Sequence, residues 1–235
     1  MKQHILLALF LLMPLFASAQ INKQCPQFTI NGTPQYVAKS GDQELCRANY
    51  AVLHRCATKT PIAVFEHLTP ADITGSAKRL NNFHEDSQVA VECRSTLKDY
   101  NGAPYDRGHM SPAGNNTVNA QIMTESFLLS NMVPQNSNNN RDIWRELESW
   151  ERSWVLKGGN FYIISGPVYD PGYKTIGNGV GVPTRLFKII YDKSSNKAMA
   201  YMMPNAALPA TDLSKYQTTV PAIEQVTGMN FGLGQ

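Results

Sequence analysis

The chain has 235 residues, of which 43% are hydrophobic and 17% are charged, and it carries a formal net charge of +3 at pH 7. This length suits one domain with a well-developed core. The sequence contains no internal repeat, which excludes a repeat architecture, and so small a net charge argues only weakly for a polyanionic partner.

The first residues have the pattern of a cleavable secretory signal. Lys2 precedes an apolar run at residues 5–16 (ILLALFLLMPLF), and the small residues Ala17-Ser18-Ala19 follow it. The run is short for a membrane span. We therefore expect a signal peptide at residues 1–19, a single domain at 20–235, and a secreted or periplasmic protein without stable membrane association. The alternative is a buried or membrane-anchoring helix.

Four cysteines follow this segment, at Cys25, Cys46, Cys56 and Cys93. An even number of cysteines in an exported chain predicts two disulfides, and the sequence does not distinguish among the three possible pairings. No C-x-x-C or His/Cys cluster indicates zinc. We interpret the four residues as structural staples of the N-terminal half.

The elements of this N-terminal half are predicted from short patterns. Residues 20–45 look irregular, and residues 50–68 contain two apolar runs around the polar stretch ATKT, which predicts a hairpin. Residues 87–93 (SQVAVEC) indicate a short strand. The apolar spacing after residue 117 predicts a helix that ends before Pro134.

The second half carries the clearest helix signal. Ile143, Leu147, Trp150 and Trp154 recur at helical spacing before Gly158-Gly159, and this stripe predicts a core-facing helix. A buried strand at 160–170, a hairpin at 184–205 and a closing helix before residue 229 complete the pattern. Hairpins with helices between them predict an α+β fold with a mixed, largely antiparallel sheet flanked by helices.

The stretch YDRGHMSPAGN at residues 105–115 concentrates groups that perform chemistry. His109 is a candidate general base near neutral pH, and Arg107 is a candidate bidentate phosphate ligand. In an extended chain these two side chains share one face, and Asp106 points to the other. Gly108 allows a close backbone approach or a positive φ. The alternative is a surface turn with an incidental salt bridge.

A second set of candidates begins at the Asn-rich stretch before the predicted helix. The amide oxygen of Asn140 is a hard ligand that Mg²⁺ accepts while it keeps most of its waters. Glu148 lies about 12 Å further along the helix and fits a contact with ion-bound water better than direct ligation. Arg152 lies one turn beyond it. The alternative is a solvated helix face with ordinary ion pairs among Arg145, Glu148 and Arg152.

Together, DRGHMSPAGN and the later ESFLLSNMVPQNSNNNRDIWRELE resemble the signature of the DNA/RNA non-specific endonuclease family, whose members are ββα-metal (His-Me finger) nucleases. The resemblance extends from AKRLNNF (77–83) to PAIEQVTG (221–228). Residues 20–47, with Cys25 and Cys46, have no counterpart that we can match, so we treat them as an N-terminal extension.

The resemblance implies a role for each of several residues. These are His109 as general base, Asn140 as the protein ligand of Mg²⁺ (or Mn²⁺), Glu148 as the group that orients ion-bound water, Arg107 and Arg152 as phosphate ligands, Arg79 against the scissile phosphate, and Asn131 as a residue that shapes the site. The match at Arg79 is the loosest, because Lys78 is adjacent.

The expected activity is therefore Mg²⁺-dependent hydrolysis of DNA and RNA to 5′-phosphate ends, with both substrates bound through their phosphates. Two other classes fit parts of the sequence: an exported protein that binds nucleic acid without cutting it, and a hydrolase of smaller phosphoesters. The preference between DNA and RNA and the oligomeric state, a homodimer included, stay open.

Overall fold

The computed structural model describes residues 17–18, 24–30 and 34–233. Most of the predicted signal segment, with its cleavage site after Ala19, lies outside the described residues. Within the described ranges, no helix has both the length and the apolar character needed to cross a membrane.

In the described part of the chain, four strands have eight or nine residues, and the others have five or fewer. The strands are β1 (Ala17–Ser18), β2 (Gln35–Tyr36), β3 (Gln43–Cys46), β4 (Ala51–Arg55), β5 (Thr60–Leu68), β6 (Tyr105–His109), β7 (Met132–Asn136), β8 (Phe161–Val168), β9 (Thr175–Ile176), β10 (Val180–Gly181), β11 (Arg185–Asp192), β12 (Lys197–Pro204) and β13 (Gln217–Thr218).

Helices lie between the strands and after the last of them. The α-helices are α1 (Pro70–Ile73), α2 (Ala120–Glu125), α3 (Ser137–Asn139), α4 (Arg145–Leu156) and α5 (Val220–Thr227), and a π-helical turn, Asn140–Trp144, joins α3 to α4. The 3₁₀ turns are Pro26–Phe28, Val91–Cys93, Leu97–Tyr100, Ala113–Asn115, Leu129–Asn131 and Ala210–Tyr216.

Seven strands form the central sheet in the order β13-β12-β11-β8-β5-β4-β3, and all of its strand pairs are antiparallel. The predicted hairpins are confirmed as β4–β5 and β11–β12. The predicted α+β class is confirmed as well. Sheet pairing is more uniformly antiparallel than the mixed sheet that was expected.

The sheet is buried on both faces. On β8, Ile163 belongs to the core beneath α4, whereas the next residue, Ile164, belongs to the core on the opposite face. The opposite face is covered by the N-terminal segment around Phe28 and by α5, whose Ile223 is fully buried. Successive side chains of a strand point to opposite faces, so both layers are built from the same strands.

The four cysteines form two disulfides, Cys25–Cys46 and Cys56–Cys93. The first attaches the N-terminal segment to the end of β3. The second attaches the turn after β4 to the loop before β6. Both therefore staple the N-terminal half, as predicted, with a pairing that only the folded chain reveals.

The predicted strand at residues 87–93 is wrong, because this segment forms turns and the 3₁₀ helix Val91–Cys93. Its polar contacts are made by side chains instead of by a neighbouring strand. Gln43 donates to the carbonyl oxygen of Gln88 and accepts from the backbone of Ala90. The disulfide at Cys93 holds the other end.

The helix predicted after residue 117 is confirmed, but it is shorter than the apolar spacing indicated. Helix α2 ends at Glu125, a 3₁₀ turn follows, and Pro134 lies inside strand β7. Pro134 fits there because β7 pairs with β6 alone in a two-stranded sheet, so the missing N–H on its outer side interrupts no further ladder.

Helix α4 is confirmed, but its buried stripe differs from the prediction. Leu147 and Val155 are fully buried, whereas Trp150 is 38% exposed. The buried residues Leu147, Glu151 and Val155 recur every four positions, so Trp150 lies beside this stripe and not on it. The position between Leu147 and Val155 on the buried stripe is taken by a charged residue, Glu151.

Glu151 belongs to a buried polar network between α4 and the sheet. Lys188 of β11 donates to Glu151 at 2.9 Å, and neither side chain has any exposed surface. Asn115 donates to Glu151 and to Glu66 of β5. Burial, followed by the charge of Glu151, raises the pKa of Glu66 to about 8. Glu66 is therefore mostly protonated at neutral pH, and the network holds one carboxylate charge opposite Lys188.

Replacing Lys188 with methionine is expected to destabilise the protein by about 3–5 kcal/mol, because Glu151 would be left as an unpaired buried charge. Urea denaturation followed by tryptophan fluorescence measures the loss. The double variant Lys188→Met/Glu151→Leu, which removes both charges, should recover much of it. A single variant within about 1 kcal/mol of the parent would contradict this assignment of the pair.

Candidate active site

The YDRGH stretch forms strand β6, which pairs with β7 in register from Tyr105↔Asn136 to His109↔Met132. The helical segment that begins at Ser137 follows β7 directly. Two antiparallel strands and a helix thus form a ββα unit in which residues 105–109 face residues of the following helix. This unit packs against the central sheet through Val133, Ile143 and Leu147.

Gly108 is required by a close approach within this unit. A Cβ atom at Gly108 would lie 2.0 Å from Oε1 and 2.6 Å from Cβ of Gln135 on β7. Any side chain would therefore displace Gln135 or separate the two strands. Its φ is not in the left-handed region, so space, and not backbone conformation, selects glycine here.

His109 lies in a pocket of aromatic rings. Its ring packs edge-on against Phe127 at 5.1 Å between centroids and is tilted against Phe83 at 5.5 Å. Arg107 is on the same face of β6, as the alternation predicts, with its guanidinium carbon 4.3 Å from the centroid of Phe83. The aromatic residues thus hold the imidazole and one arginine side by side.

The environment of His109 favours the neutral imidazole. The ring is only 7% exposed, and burial, together with the positive charges of Arg79 and Arg107, lowers its pKa to about 3. Its Nε2 atom is buried and has no hydrogen-bond partner among the described residues. Since buried polar atoms normally have a partner, this ring nitrogen is free to bond with water or a ligand.

Asp106, on the other face of β6, holds the first residues of the helix. Its Oδ2 accepts hydrogen bonds of 2.8 Å from Nδ2 of Asn140 and from Nε of Arg141, and its Oδ1 accepts from Arg141 and Ser137. Burial disfavours the charged carboxylate, but these donors keep the pKa of Asp106 below its ordinary value. Asp106 is therefore an anion that fixes the orientation of the Asn140 amide.

The donor atoms around Asn140 fit a hard divalent cation. No hydrogen bond to Oδ1 of Asn140 is present in the part of the chain that the structure describes, and this oxygen belongs to a residue that lines the cleft. Glu148, half-buried in the same cleft, adds a carboxylate. No group of three or more His, Cys, Asp or Glu residues among those described could enclose a metal. Asn140 thus fits an ion that keeps most of its waters.

The pKa of the Glu148 carboxyl is unusual for a glutamate. Burial raises its pKa to about 7, although the nearby charges of Lys188 and Arg152 act in the opposite direction. Neither Arg145 nor Arg152 forms an ion pair with Glu148 within the described residues. Glu148 therefore does not form the ordinary ion pairs with Arg145 and Arg152 that the alternative interpretation, a solvated helix face, requires.

The side chains described so far converge on one cleft of about 500 Å³. The predicted site residues that line it are Arg79, Arg107, His109, Asn140 and Glu148. Arg79 is exposed, and its guanidinium carbon lies 5.2 Å from the centroid of the Phe127 ring. Arg152 lines a neighbouring cleft instead, where its Nη1 donates to Oδ1 of Asn115 at 3.3 Å.

Asn131 supports the site from behind and does not line the cleft. It is fully buried, its Oδ1 accepts from the backbone N–H of Ser111, and its Nδ2 donates to the carbonyl oxygens of Ser111 and Ser126. These bonds fix the turn that follows His109. Its geometry is that of a positioning residue.

Several residues of the cleft were not among the sequence candidates. They are Phe83, Tyr100, Tyr105, Pro112, Ala113, Arg141 and Arg145, together with Asp106 in its contact with Asn140. Asp106 was predicted to pair within the protein, but nothing in the sequence indicated Asn140 as a partner. The position of Asp106 within the DRGH motif was the one available signal.

The comparisons with known proteins agree with this geometry. The sequence model described as "DNA/RNA non-specific endonuclease" matches residues 27–235. The chain belongs to this family. The match includes residues 27–47, for which no counterpart was identified from the motifs.

Curated relatives carry the names of nucleases. The chain is 32% identical to "Endonuclease G, mitochondrial" of Bos taurus over 226 residues, which cover 88% of this chain and 76% of the relative. It is 30% identical to "Nuclease EXOG, mitochondrial" of Homo sapiens, and that match covers 82% of this chain and 57% of the relative. The chain thus spans little more than half the length of some relatives.

A solved structure supports the fold assignment. The structure of an EndoG/EndoGI complex, which describes the mechanism of EndoG inhibition, aligns with a TM-score of 0.76 at 32% identity. The alignment covers 81% of this chain and 85% of that chain. This likeness confirms the ββα-metal fold that the motif resemblance implied.

The predicted secreted or periplasmic location is wrong by the same comparisons. The relatives from Bos taurus and Homo sapiens, and a further one from Saccharomyces cerevisiae, are named mitochondrial nucleases. The prediction failed because a short apolar N-terminal run followed by small residues shows only that the segment is hydrophobic. It does not show the compartment to which the protein is sent.

Proposed function

We propose that the protein is an endonuclease that hydrolyses phosphodiester bonds in both DNA and RNA with the help of Mg²⁺ or Mn²⁺. One observation carries the proposal. A buried neutral imidazole at His109 lies in the same cleft as Arg79, Arg107 and an asparagine amide that Asp106 orients. Water activation and phosphate binding can therefore occur at one place.

His109 acts as the general base in this proposal. It takes a proton from a water molecule as the water oxygen bonds to phosphorus and the bond from phosphorus to the 3′ oxygen breaks. A base must be unprotonated to do this, and the lowered pKa of His109 keeps it so at neutral pH. The departing 3′ oxygen takes a proton from a second water molecule, so the products carry 5′-phosphate and 3′-hydroxyl ends.

Arg79 and Arg107 supply fixed positive charge where negative charge grows on the non-bridging oxygens. Both line the cleft, and both are held against aromatic rings. The aromatic contacts restrict the guanidinium groups before substrate binds. The two guanidinium groups then need less ordering during the reaction itself.

Asn140 would hold the divalent cation through its amide oxygen, with Glu148 nearby to orient water. The cation, when bound, supplies Lewis-acid stabilisation of the leaving oxygen. Asp106 contributes by fixing the Asn140 amide and by keeping its own charge near the site.

Substrate recognition in this proposal is made through phosphates. Arginines in an open cleft bind the backbone, which carries no sequence information. We therefore expect little sequence preference and a marked loss of activity with added salt.

Digestion of plasmid DNA and of RNA, each with Mg²⁺ and with EDTA, tests the proposal. Degradation of both polymers that EDTA abolishes is the expected result. Binding of both polymers without degradation would instead select a non-catalytic nucleic-acid-binding protein. Hydrolysis of small phosphate esters alone would instead identify the protein as a hydrolase of smaller phosphoesters.

A further inference from the structure

Strand β6 ends at His109, and residues 110–116 follow it as a turn, which we call the His109 turn. Two of its residues, Pro112 and Ala113, line the cleft. Its regular structure is limited to one short 3₁₀ segment, so hydrogen bonds from side chains determine much of its shape. Asn131 provides some of these bonds, and a second support comes from the central sheet.

Glu66 of β5 accepts hydrogen bonds from two side chains of the His109 turn. Its Oε1 accepts from Oγ of Ser111 at 2.9 Å and from Nδ2 of Asn115 at 3.2 Å. Oγ of Ser111 also accepts from Nδ2 of Asn116 at 2.8 Å, which directs its own proton towards Glu66. Glu66 is buried, with 1% of its surface exposed. One oxygen atom on a sheet residue therefore connects three residues of the turn.

Asn115 extends this connection to helix α4. Its Nδ2 also donates to Oε1 of Glu151 at 2.6 Å, and its Oδ1 accepts from Nη1 of Arg152 at 3.3 Å. The Asn115 amide is thus fixed both by Glu66 on the sheet and by two residues of the helix. Because Glu148 of the same helix lines the cleft, these bonds set the position of the turn relative to α4.

The Glu66 carboxyl group is neutral when it makes these bonds at neutral pH. Burial, followed by the charge of Glu151, raises its pKa to about 8, although Lys188 acts in the opposite direction. Both hydrogen bonds fall on Oε1, and Oε2 has no partner among the described residues, which fits a proton on Oε2. A glutamine at this position would keep the acceptor oxygen and carry no charge, as the protonated acid does.

We propose that Glu66 is a positioning residue for the general base: by holding Ser111 and Asn115, it fixes the turn that sets the place of the His109 ring in the cleft. The catalytic part of this inference rests on the proposed nuclease function. Glu66 does not line the cleft, so it acts through the turn and contacts no substrate. A displacement of about 1 Å at a reacting group, caused from a distance, can lower a rate by about 10²-fold.

The turnover of Glu66 variants tests the proposal. Glu66→Leu removes the acceptor but keeps a side chain of similar volume, and we expect kcat for plasmid cleavage to fall on the order of 10²-fold with little change in KM. Glu66→Gln should recover most of that loss, because it keeps the acceptor oxygen. A folded Glu66→Leu variant with parental kcat would overturn the proposal, and so would a Glu66→Gln variant with the same loss as Glu66→Leu.

Ser165→Ala is the matched control. Ser165 lies on β8, is buried like Glu66, and is paired with Lys188 across the sheet. Its Oγ forms no hydrogen bond within the described residues, so it holds no part of the His109 turn. The control should therefore keep the parental kcat, and circular dichroism checks the fold of each variant.

A double-variant cycle shows whether Glu66 acts through the turn. Ser111→Ala removes the Oγ contact but keeps the backbone bonds of Ser111 to Asn131. If the two side chains act as a pair, kcat of Glu66→Leu/Ser111→Ala should fall by less than the product of the two single losses. Losses that multiply would contradict the assignment. If Glu66→Leu does not fold, Ser111→Ala decides alone, and parental kcat in that variant would overturn the proposal.

Hydrogen exchange at Ser111 gives a readout that does not depend on activity. The N–H of Ser111 donates to Oδ1 of Asn131, and a loosened turn opens this bond more often. We expect exchange at least about 10-fold faster in Glu66→Leu than in the parent, and close to the parent in Glu66→Gln. Equal exchange rates in the parent and in Glu66→Leu would show that Glu66 does not hold the turn.

Failure of the positioning role is distinguishable from failure of the nuclease function. If the parent protein degrades plasmid and RNA but Glu66→Leu behaves as Ser165→Ala does, only the positioning role is wrong. If the parent degrades neither polymer, the proposed function fails and the catalytic role of Glu66 with it. The exchange rate at Ser111 then still decides whether Glu66 holds the turn.

Discussion

Replacing His109 with alanine is expected to lower the turnover of plasmid DNA by about 10²–10⁴-fold, which is the range for losing a positioned general base. His109 is the only histidine that lines the cleft among the described residues, so no second imidazole can take its place. The side chain forms no hydrogen bond that the fold depends on in the described part of the chain, and the thermal transition should move little.

The measurement is initial-rate cleavage at saturating Mg²⁺, with circular dichroism to confirm the fold. Phe83→Leu is a useful comparison, because it removes an aromatic contact of His109 without removing the base. Phe83→Leu should lower turnover less than His109→Ala does. Near parental turnover in His109→Ala would exclude the imidazole as the base.

The lowered pKa of His109 gives a separate expectation. An ordinary histidine gains its proton as the pH falls through about 6.5, whereas a pKa of about 3 keeps His109 neutral well below that pH. In metal-free protein, the ring carbon resonance that disappears in His109→Ala should therefore not shift between pH 8 and pH 5. A titration with a midpoint near 6.5 would contradict the buried, arginine-flanked environment.

Replacing Asn140 with alanine is expected to have the second large effect, a loss of Mg²⁺-supported activity by more than about 100-fold. Outer partners of metal ligands typically contribute about 10–100-fold, and the ligand itself should contribute more. Asp106 is such an outer partner, because its carboxylate accepts a hydrogen bond from the Asn140 amide. Asp106→Asn should therefore lower activity by about 10–100-fold.

Titration of activity with Mg²⁺ and calorimetric titration with Mn²⁺ measure the two variants. Cation affinity should fall in the order parent, Asp106→Asn, Asn140→Ala. An unchanged half-saturation concentration in Asn140→Ala would remove this residue as the ligand. An effect of Asp106→Asn on stability alone would show that Asp106 supports the fold without orienting the amide.

Much of the fold follows from local sequence patterns. The hairpins and the helix around Leu147 are visible because hydrophobic periodicity is strong where one face is buried. The alternation of Arg107 and His109 follows from the extended backbone of β6. These are short-range properties, so the sequence suffices for them.

The errors come from tertiary contacts that override local preference. Pro134 lies in a strand because β7 has only one partner strand, and residues 87–93 form turns because side chains, not a strand, satisfy their backbone. Trp150 is exposed because the face of α4 that packs on the sheet carries Leu147, Glu151 and Val155 instead. None of these causes is local to the residues concerned.

The site itself was predictable in its residue types but not in its contacts. The bond between Asp106 and Asn140 joins residues that are 34 positions apart, and the enclosure of His109 by Phe83 and Phe127 depends on loops with weak patterns. The pKa of His109 follows from that enclosure. It therefore could not be read from the motif alone.

Anomalous diffraction from crystals soaked in Mn²⁺ tests most directly whether the His109 ring and an Asn140-held cation serve the same phosphodiester. The account predicts one anomalous peak in coordination contact with Oδ1 of Asn140, with the His109 ring no further from it than a bridging water or phosphate group can reach. A peak held by other residues, or one on the far side of β6 from the imidazole, would contradict it.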